Sequence, residues 1–321
     1  MKKCLVTGVA GFIGCEVALL LSKAGYSIVG IDNLNHYYDV SLKHARLKRL
    51  NGLVDFREMD LVDKNSLNDL FKTEKFDAVV HLAAQAGVRY SLENPQAYVD
   101  SNVTGFLSIL ECCRENPVKH LVYASSSSVY GRNKKTPFST EDPVCMPSSL
   151  YAATKRSNEL MAETYSHLFK VNSTGLRFFT VYGPWGRPDM APWLFASSLL
   201  DGKPIKVFNN GNMLRDFTYI ADIAEGVVRV LENGLERAPI HKLYNIGHGS
   251  PVNLMDFIAI LENSLGIEAK KDFLPMQPGD VEVTYADTSA LEKEVGYLAN
   301  TDLETGVKAF AEWFKDYKNS I

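Results

Sequence analysis

Short apolar runs alternate with amphipathic stretches through the first half of the chain. Cys4-Leu5-Val6-Thr7 reads as a buried strand, Phe12 to Ala24 as the helix that follows and Tyr26 to Ile31 as a second strand. Further strand-like runs fall at Val54 to Arg57, Asp77 to Leu82, His120 to Ala124 and Ser173 to Phe178. Helical periodicity fills Ser66 to Lys72, Ala97 to Cys113 and Ala152 to His167. Alternation of this kind predicts βαβ units, hence an α/β fold with a doubly wound parallel sheet whose ligands gather at the carboxyl ends of the strands.

The texture changes after Thr180. Tyr182-Gly183-Pro184-Trp185-Gly186-Arg187-Pro188 is turn-rich and continues neither element, so a second, smaller mixed α/β lobe is expected to begin there. Helical patterns recur at Ile220 to Glu232, Leu254 to Leu265 and Leu303 to Phe314, with extended pieces at Ile205 to Phe208 and Lys242 to Ile246. The expected division is a dinucleotide-binding unit over residues 1–180, with a returning segment near 216–246, and a substrate lobe over 181–215 and 247–321.

Composition narrows the class without naming it. The 321 residues carry 46% hydrophobic and 22% charged side chains and a net charge of −4, which suits a soluble enzyme and lacks the basic excess of a general nucleic-acid binder. Five cysteines without a C-x-x-C pair, and a strand at the very start of the sequence, lead to the expectation of a reduced, cytoplasmic protein. The apolar runs are too short for a membrane span. The seven histidines include no H-E-x-x-H spacing, and no metal is expected.

The first chemical signal lies between the first strand and helix. Gly8, Gly11 and Gly14 occupy that turn, where the chain must bend sharply and where a pyrophosphate can meet backbone N–H groups at a helix amino terminus. Asp32 ends the second strand, the place for a carboxylate that accepts hydrogen bonds from an adenosine ribose and repels a 2′-phosphate. The combination predicts NAD. A tight turn without a ligand would leave Asp32 unexplained.

The second signal is Tyr151 with Lys155, one turn apart on a single helix face, preceded by the serine run Ser125 to Ser128 at the end of a predicted strand. A phenol ionises near pH ~10, so it serves as a base at neutral pH only if positive charge lowers that value. Lys155 and the cationic nicotinamide are the expected sources, and Ser126 is placed to share the proton. The charged run Lys43 to Arg49 reads as a solvated helix face, with Lys43 as the exception that could reach a phosphate.

With these motifs in hand the sequence resembles the extended short-chain dehydrogenase/reductase family, and within it the nucleotide-sugar epimerases and dehydratases. The resemblance rests on Thr7 to Gly14, Asp32 to Asn35, Asp60-Leu61, His81 to Ala84, Asn102, Tyr151-x-x-x-Lys155, Arg215-Asp216-Phe217 and Pro278-Gly279-Asp280. It implies a permanently held NAD contacted by Phe12, Ile13, Asp32, Asn33, Asn35, Lys43, Asp60, Leu61, Leu82, Ala83, Ala84 and Asn102 besides the glycines, with Lys155 on the nicotinamide ribose. It also implies a substrate site built from Ser126, Ser127, Ser128, Tyr151, Thr180, Arg187, Arg89, Arg215, Gln277 and Asp280.

The identity of the sugar turns on a few of these positions. Dehydratases of the family carry an acidic pair after the catalytic hydroxyl, and its UDP-glucuronate decarboxylases a glutamate; this chain has Ser127 and Ser128. A carboxylate there would repel a substrate carboxylate by about 4 kcal/mol at contact in an effective dielectric of ~20. Thr180 stands where galactose-type epimerases usually have asparagine. Together with Asn35 to Lys43, Gly87 to Ser91 and the segment from Thr180 to Ala191, this looks most like the UDP-glucuronate 4-epimerases. Gln277 stands where many sugar epimerases place an arginine on the diphosphate, which leaves Arg215, with Arg187 or Arg89, to supply positive charge.

The expected reaction is reversible inversion at C4 through a 4-keto sugar, with NAD transiently reduced. A UDP-glucose or UDP-N-acetylglucosamine 4-epimerase, a UDP-glucuronate decarboxylase and a silent NAD-binding regulator are the alternatives. Family habit implies a homodimer through a four-helix bundle of the helices at Ala97 to Cys113 and Ala152 to His167. Their apolar residues (Val103, Phe106, Leu107, Leu110; Leu160, Met161, Leu168) fit packing on the sheet equally well.

Overall fold

The computed structural model describes every residue except 239, 278 and 321. Its framework is a seven-stranded, all-parallel sheet. The first six strands are β1 (Lys3–Thr7), β2 (Ser27–Asp32), β3 (Asp55–Glu58), β4 (Ala78–His81), β5 (His120–Ser126) and β6 (Ser173–Phe178), and the seventh is His241–Ile246 beside β6. The order across the sheet is His241–Ile246, β6, β5, β4, β1, β2, β3. Strands this apolar must be covered on both faces. Cys4 and Val6 of β1 and Val80 of β4 pack into one core, while Leu5 and Val79 point to the other side of the sheet into a second.

Strand order reverses between β1 and β4, which opens a crevice at their carboxyl ends. The register sets Thr7 beside both Ile31 and His81, and Ser126 beside Phe178, so the functional segments leave the sheet along one edge. The helix α1 (Phe12–Lys23) follows β1, and α2 (Val40–Arg49) follows β2.

The second lobe has its own core, with Phe195, Val207, Phe217, Phe257, Leu261, Phe310 and Phe314 buried together. Its strands are short: Ile205–Phe208 pairs with Lys271–Leu274, and Leu214–Arg215 with Val252–Asn253. Phe217–Tyr219 pairs with Thr180–Tyr182, which carries the lobe directly off the end of β6.

Two expectations need correction. The helix predicted over Ala97 to Cys113 is three pieces: Pro95–Tyr98, a π-helical turn Val99–Thr104, and Gly105–Glu115. The widened turn coincides with Asn102, whose side chain bonds the Gln85 backbone and Thr154 Oγ1 and whose carbonyl accepts from Asn158 Nδ2 at 2.6 Å. Nor is the run Lys43 to Arg49 a solvated face throughout: His44 and Lys48 are exposed, but besides Lys43, the expected exception, Arg46 is buried at 0% exposure. No helix among the described residues is long and apolar enough to cross a membrane.

Candidate active site

A cleft of about 1020 Å³ runs along the carboxyl edge of the sheet and on between the two lobes. Its size suits a dinucleotide and a second ligand together, since single small-molecule sites hold roughly 300–1,000 Å³. One end is the turn after β1. Gly8 takes φ +71°, and a Cβ there would lie 2.7 Å from the Ala83 nitrogen. A Cβ on Gly14 would come within 2.1 Å of the Gly8 carbonyl oxygen, so this glycine lets α1 start directly against the turn. Thr7 Oγ1 accepts from the Leu82 and Ala83 N–H groups, fixing the loop after β4 under the cleft.

Asp32 is fixed by three partners. Its carboxylate accepts from the N–H groups of Leu34 at 2.9 Å and Ala10 at 3.2 Å, and Lys43 Nζ lies 3.6 Å away. Burial pushes the Lys43 ammonium down, against the pull of Asp32. Asn33 donates to Asp60 at 2.8 Å, and Lys43 donates to Asn35 at 3.1 Å. The cleft wall therefore offers a carboxylate for ribose hydroxyls beside a glycine turn for a pyrophosphate, and NAD fits this donor set.

The chemical centre lies where β5 meets the helix Leu150–Phe169. Ser149 caps that helix by accepting from the Ala152 N–H, so Tyr151 sits in its first turn and Lys155 one turn on. Ser126 ends β5 and accepts from the Ser128 N–H, which folds Ser127 and Ser128 into a short 3₁₀ turn at the cleft. Burial raises the Tyr151 phenol above its ordinary value, while the Ser126 hydroxyl bonded to it and the Arg187 charge pull it back. Lys155 differs from expectation. Its ammonium donates to the Ala124 carbonyl at 2.9 Å, and burial lowers its pKa to about 8. Arg187 lends Tyr151 positive charge, which Asp189 opposes.

Arg187 has a partner that the sequence did not reveal. Its Nε donates to Asp189 Oδ1 at 2.9 Å, and Tyr37 OH donates to Asp189 Oδ2 at 3.1 Å. Burial raises the Tyr37 phenol, and Asp189 adds to that. Tyr37 was present only inside a family motif, and its pairing with a residue 152 positions away is invisible to local periodicity.

All of the expected cofactor residues line the cleft except Asn102, which sits behind the wall with its side chain spent on Gln85 and Thr154. It supports the loop after β4. Every expected substrate residue also lines the cleft: Ser126, Ser127, Ser128, Tyr151, Thr180, Arg187, Arg89, Arg215, Gln277 and Asp280. In the outer half Arg89 faces Asp280 at 3.6 Å, while Arg215 spends donors on the Leu214, Val281 and Glu282 carbonyls. Gln277 Oε1 is buried without a partner among the described residues. Lys206 and Gln85 also line the cleft and were not expected. Pro278 of the Pro278-Gly279-Asp280 motif lies outside the described residues. Asp216 serves structure, accepting from the N–H groups of His248, Gly249 and Ala286 while its own carbonyl takes the Thr180 N–H.

Comparison with known proteins agrees with this geometry. The family model described as NAD dependent epimerase/dehydratase family matches residues 4–247. UDP-glucuronate 4-epimerase 4 of Arabidopsis thaliana is 48% identical over 328 residues, covering 98% of this chain and 75% of the relative. A crystal structure of UDP-glucuronic acid 4-epimerase from Bacillus cereus, in complex with UDP-glucuronic acid and NAD, superposes with a TM-score of 0.92 at 35% identity, over 98% of this chain and 100% of that one. A UDP-glucose 4-epimerase from Thermotoga maritima superposes with a TM-score of 0.89 at 28% identity, over 99% of this chain and 100% of that one. With its sheet, its glycine turn and its Tyr151–Lys155 helix in place, the chain belongs to the NAD dependent epimerase/dehydratase family.

Proposed function

We propose that this protein interconverts UDP-glucuronate and UDP-galacturonate by inverting C4 through a 4-keto sugar. The observation that carries this reading is the uncharged hydroxyl wall. Ser126, Ser127 and Ser128 line the cleft together with Thr180, beside Tyr151 and with Arg187 close by. A sugar carboxylate there meets donors and a cation, and the neighbouring acid Asp189 is already paired with Arg187. The relatives named UDP-glucuronate 4-epimerase and the Bacillus complex support the same sugar.

Residues 1–180 with the returning segment near 216–246 hold NAD, through the glycine turn, Asp32 and the loop after β4. The lobe of 181–215 and 247–321 holds the nucleotide sugar, with Arg215, Gln277 and Asp280 toward its diphosphate end. Bound NAD supplies an oxidant for C4 and then the reductant that restores it from the other face. Tyr151 removes the 4-hydroxyl proton, with Ser126 sharing its bond, and returns a proton when C4 is reduced. Lys155 holds the nicotinamide ribose. The 4-keto sugar is a β-keto acid, so Thr180, Ser127 and Ser128 also have to stabilise its carboxylate against loss of CO₂.

A homodimer is part of the proposal. Leu160 and Leu168 on the helix Leu150–Phe169 are 53% and 59% exposed, whereas Phe106 and Leu110 of Gly105–Glu115 are buried against the sheet. The exposed pair fits a subunit contact. A cytoplasmic place in polysaccharide precursor supply follows from the substrate proposed.

Incubation with UDP-glucuronate, with products resolved by NMR, is expected to give the C4 epimer. Thr180→Val is expected to raise the ratio of decarboxylated pentose to epimer roughly tenfold, the worth of one hydrogen bond to a charged group. Conversion of UDP-glucose or UDP-N-acetylglucosamine in preference would assign the neutral-sugar activity instead. No conversion of any of them would leave an NAD-binding regulator.

A further inference from the structure

Arg46 lies outside the machinery described so far, yet it is completely buried. Among the described residues its guanidinium makes five hydrogen bonds, which end on three carbonyls and a phenol and on no carboxylate. Nε and Nη2 both reach the Trp185 carbonyl, at 3.1 and 2.7 Å, and Nη2 also reaches that of Gly186 at 3.0 Å. Nη1 donates to the Ala10 carbonyl at 3.1 Å and to Tyr38 OH at 2.7 Å. A cation taken out of water without an anion is costly to keep, so a structural brace alone is a poor reason for it.

Its two anchors belong to different sites. Ala10 is in the glycine turn, and its backbone is held at both ends, the N–H by Asp32 and the carbonyl by Arg46. Trp185 and Gly186 immediately precede Arg187, whose charge reaches Tyr151. Trp185 has φ +64°, an uncommon conformation for a bulky side chain. Strain of this kind persists only where surrounding contacts over-determine it. Arg46 supplies two of those contacts through the carbonyl, and Arg49 from the same face of α2 lies 5.0 Å from the Trp185 ring.

We infer that Arg46 is a positioning residue that couples the dinucleotide turn to the loop carrying Arg187, so that binding of NAD sets the sugar half of the cleft. The inference rests on the reading that the dinucleotide lies over Gly8 to Gly14. The pyrophosphate brings negative charge to the side of the turn opposite a buried cation that pairs with no carboxylate among the described residues. It therefore strengthens the hold of Arg46 on the turn, and the rigid fork carries that order to Trp185 and Gly186.

Amide hydrogen exchange of the whole protein, stripped of cofactor and then reloaded with NAD⁺, tests the coupling. In the wild-type chain NAD⁺ is expected to slow exchange in both the 8–14 and the 183–190 segments, the latter about tenfold, within the usual range of site-to-site coupling. Arg46→Lys keeps the charge and loses the fork. It should still protect 8–14 on adding NAD⁺, while 183–190 stays at the rate of the stripped protein. Tyr38→Phe removes one of the five bonds and should give intermediate protection of the loop, which keeps the test open if the lysine variant does not fold. Loop protection in Arg46→Lys or Tyr38→Phe equal to wild type would overturn the coupling. So would a wild-type loop that ignores NAD⁺ while the turn responds, a result that leaves the reading of the cofactor site standing. Failure of NAD⁺ to bind the wild-type chain, measured separately by its absorbance, would overturn both.

Discussion

Tyr151→Phe is expected to lower kcat about a thousandfold, within the ~10²–10⁴ range that a positioned general base contributes. The substitution removes one oxygen. It leaves the ring that meets Tyr98 edge-on at 6.0 Å, and it leaves Lys155 bonded to Ala124. Folding and cofactor content should therefore be unchanged. The protein as purified, assayed for NAD released on denaturation and for turnover of UDP-glucuronate, separates the two quantities. Substantial remaining turnover would move the proton transfer to another group, and Ser126 is the hydroxyl next in place.

Breaking the ion pair behind β5 should have the largest effect on stability. Glu159 and Arg177 are 0% and 1% exposed and bonded in parallel, Nε to Oε1 at 2.8 Å and Nη2 to Oε2 at 3.0 Å. Ser125 and Arg156 also donate to Glu159, and Tyr130 OH accepts from Arg177 Nη1. Burial alone would raise the Glu159 carboxyl, but the Arg177 charge and these donors hold it below the usual range. Glu159→Leu strands a buried cation and is expected to cost roughly 3–5 kcal/mol in urea unfolding. A carboxyl with a depressed folded pKa contributes stability that is full above its unfolded value near ~4.3 and lost as the pH falls through the folded one. Wild-type protein should thus lose this contribution in acid, and Glu159→Leu should show a flatter dependence there. An unfolding midpoint within experimental scatter of wild type would show that the pair is replaceable packing.

Much of this was legible because it follows from period and spacing. The strands were visible as apolar runs, and Gly8, Gly11, Gly14 and Asp32 fall in register with a strand, a turn, a helix and another strand. Tyr151 and Lys155 share a helix face at any tertiary placement. What escaped depends on contacts distant in sequence. Lys43, Arg46 and Arg49 recur at a spacing of three along one face of α2, and that was the available sign that this face meets something; charge alone suggested solvent. The bond of Arg46 to Trp185 spans 139 positions. The π-turn coincides with Asn102, whose amide bonds the Gln85 backbone and the Thr154 hydroxyl, contacts distant in sequence that helical periodicity does not register. Asp189 reads as one more acid in a turn until Arg187 and Tyr37 are seen against it. The two- and three-residue strands of the second lobe are too short for alternation to register.

The central claim is that this cleft inverts C4 of a uronate and returns to C4 the hydrogen it removed. Incubation of the wild-type enzyme with UDP-glucuronate deuterated at C4, in ordinary water, followed by proton NMR, tests it most directly. The account predicts UDP-galacturonate with deuterium retained at C4 and little pentose. Product with ordinary hydrogen at C4, pentose as the main product, or unchanged substrate would contradict it.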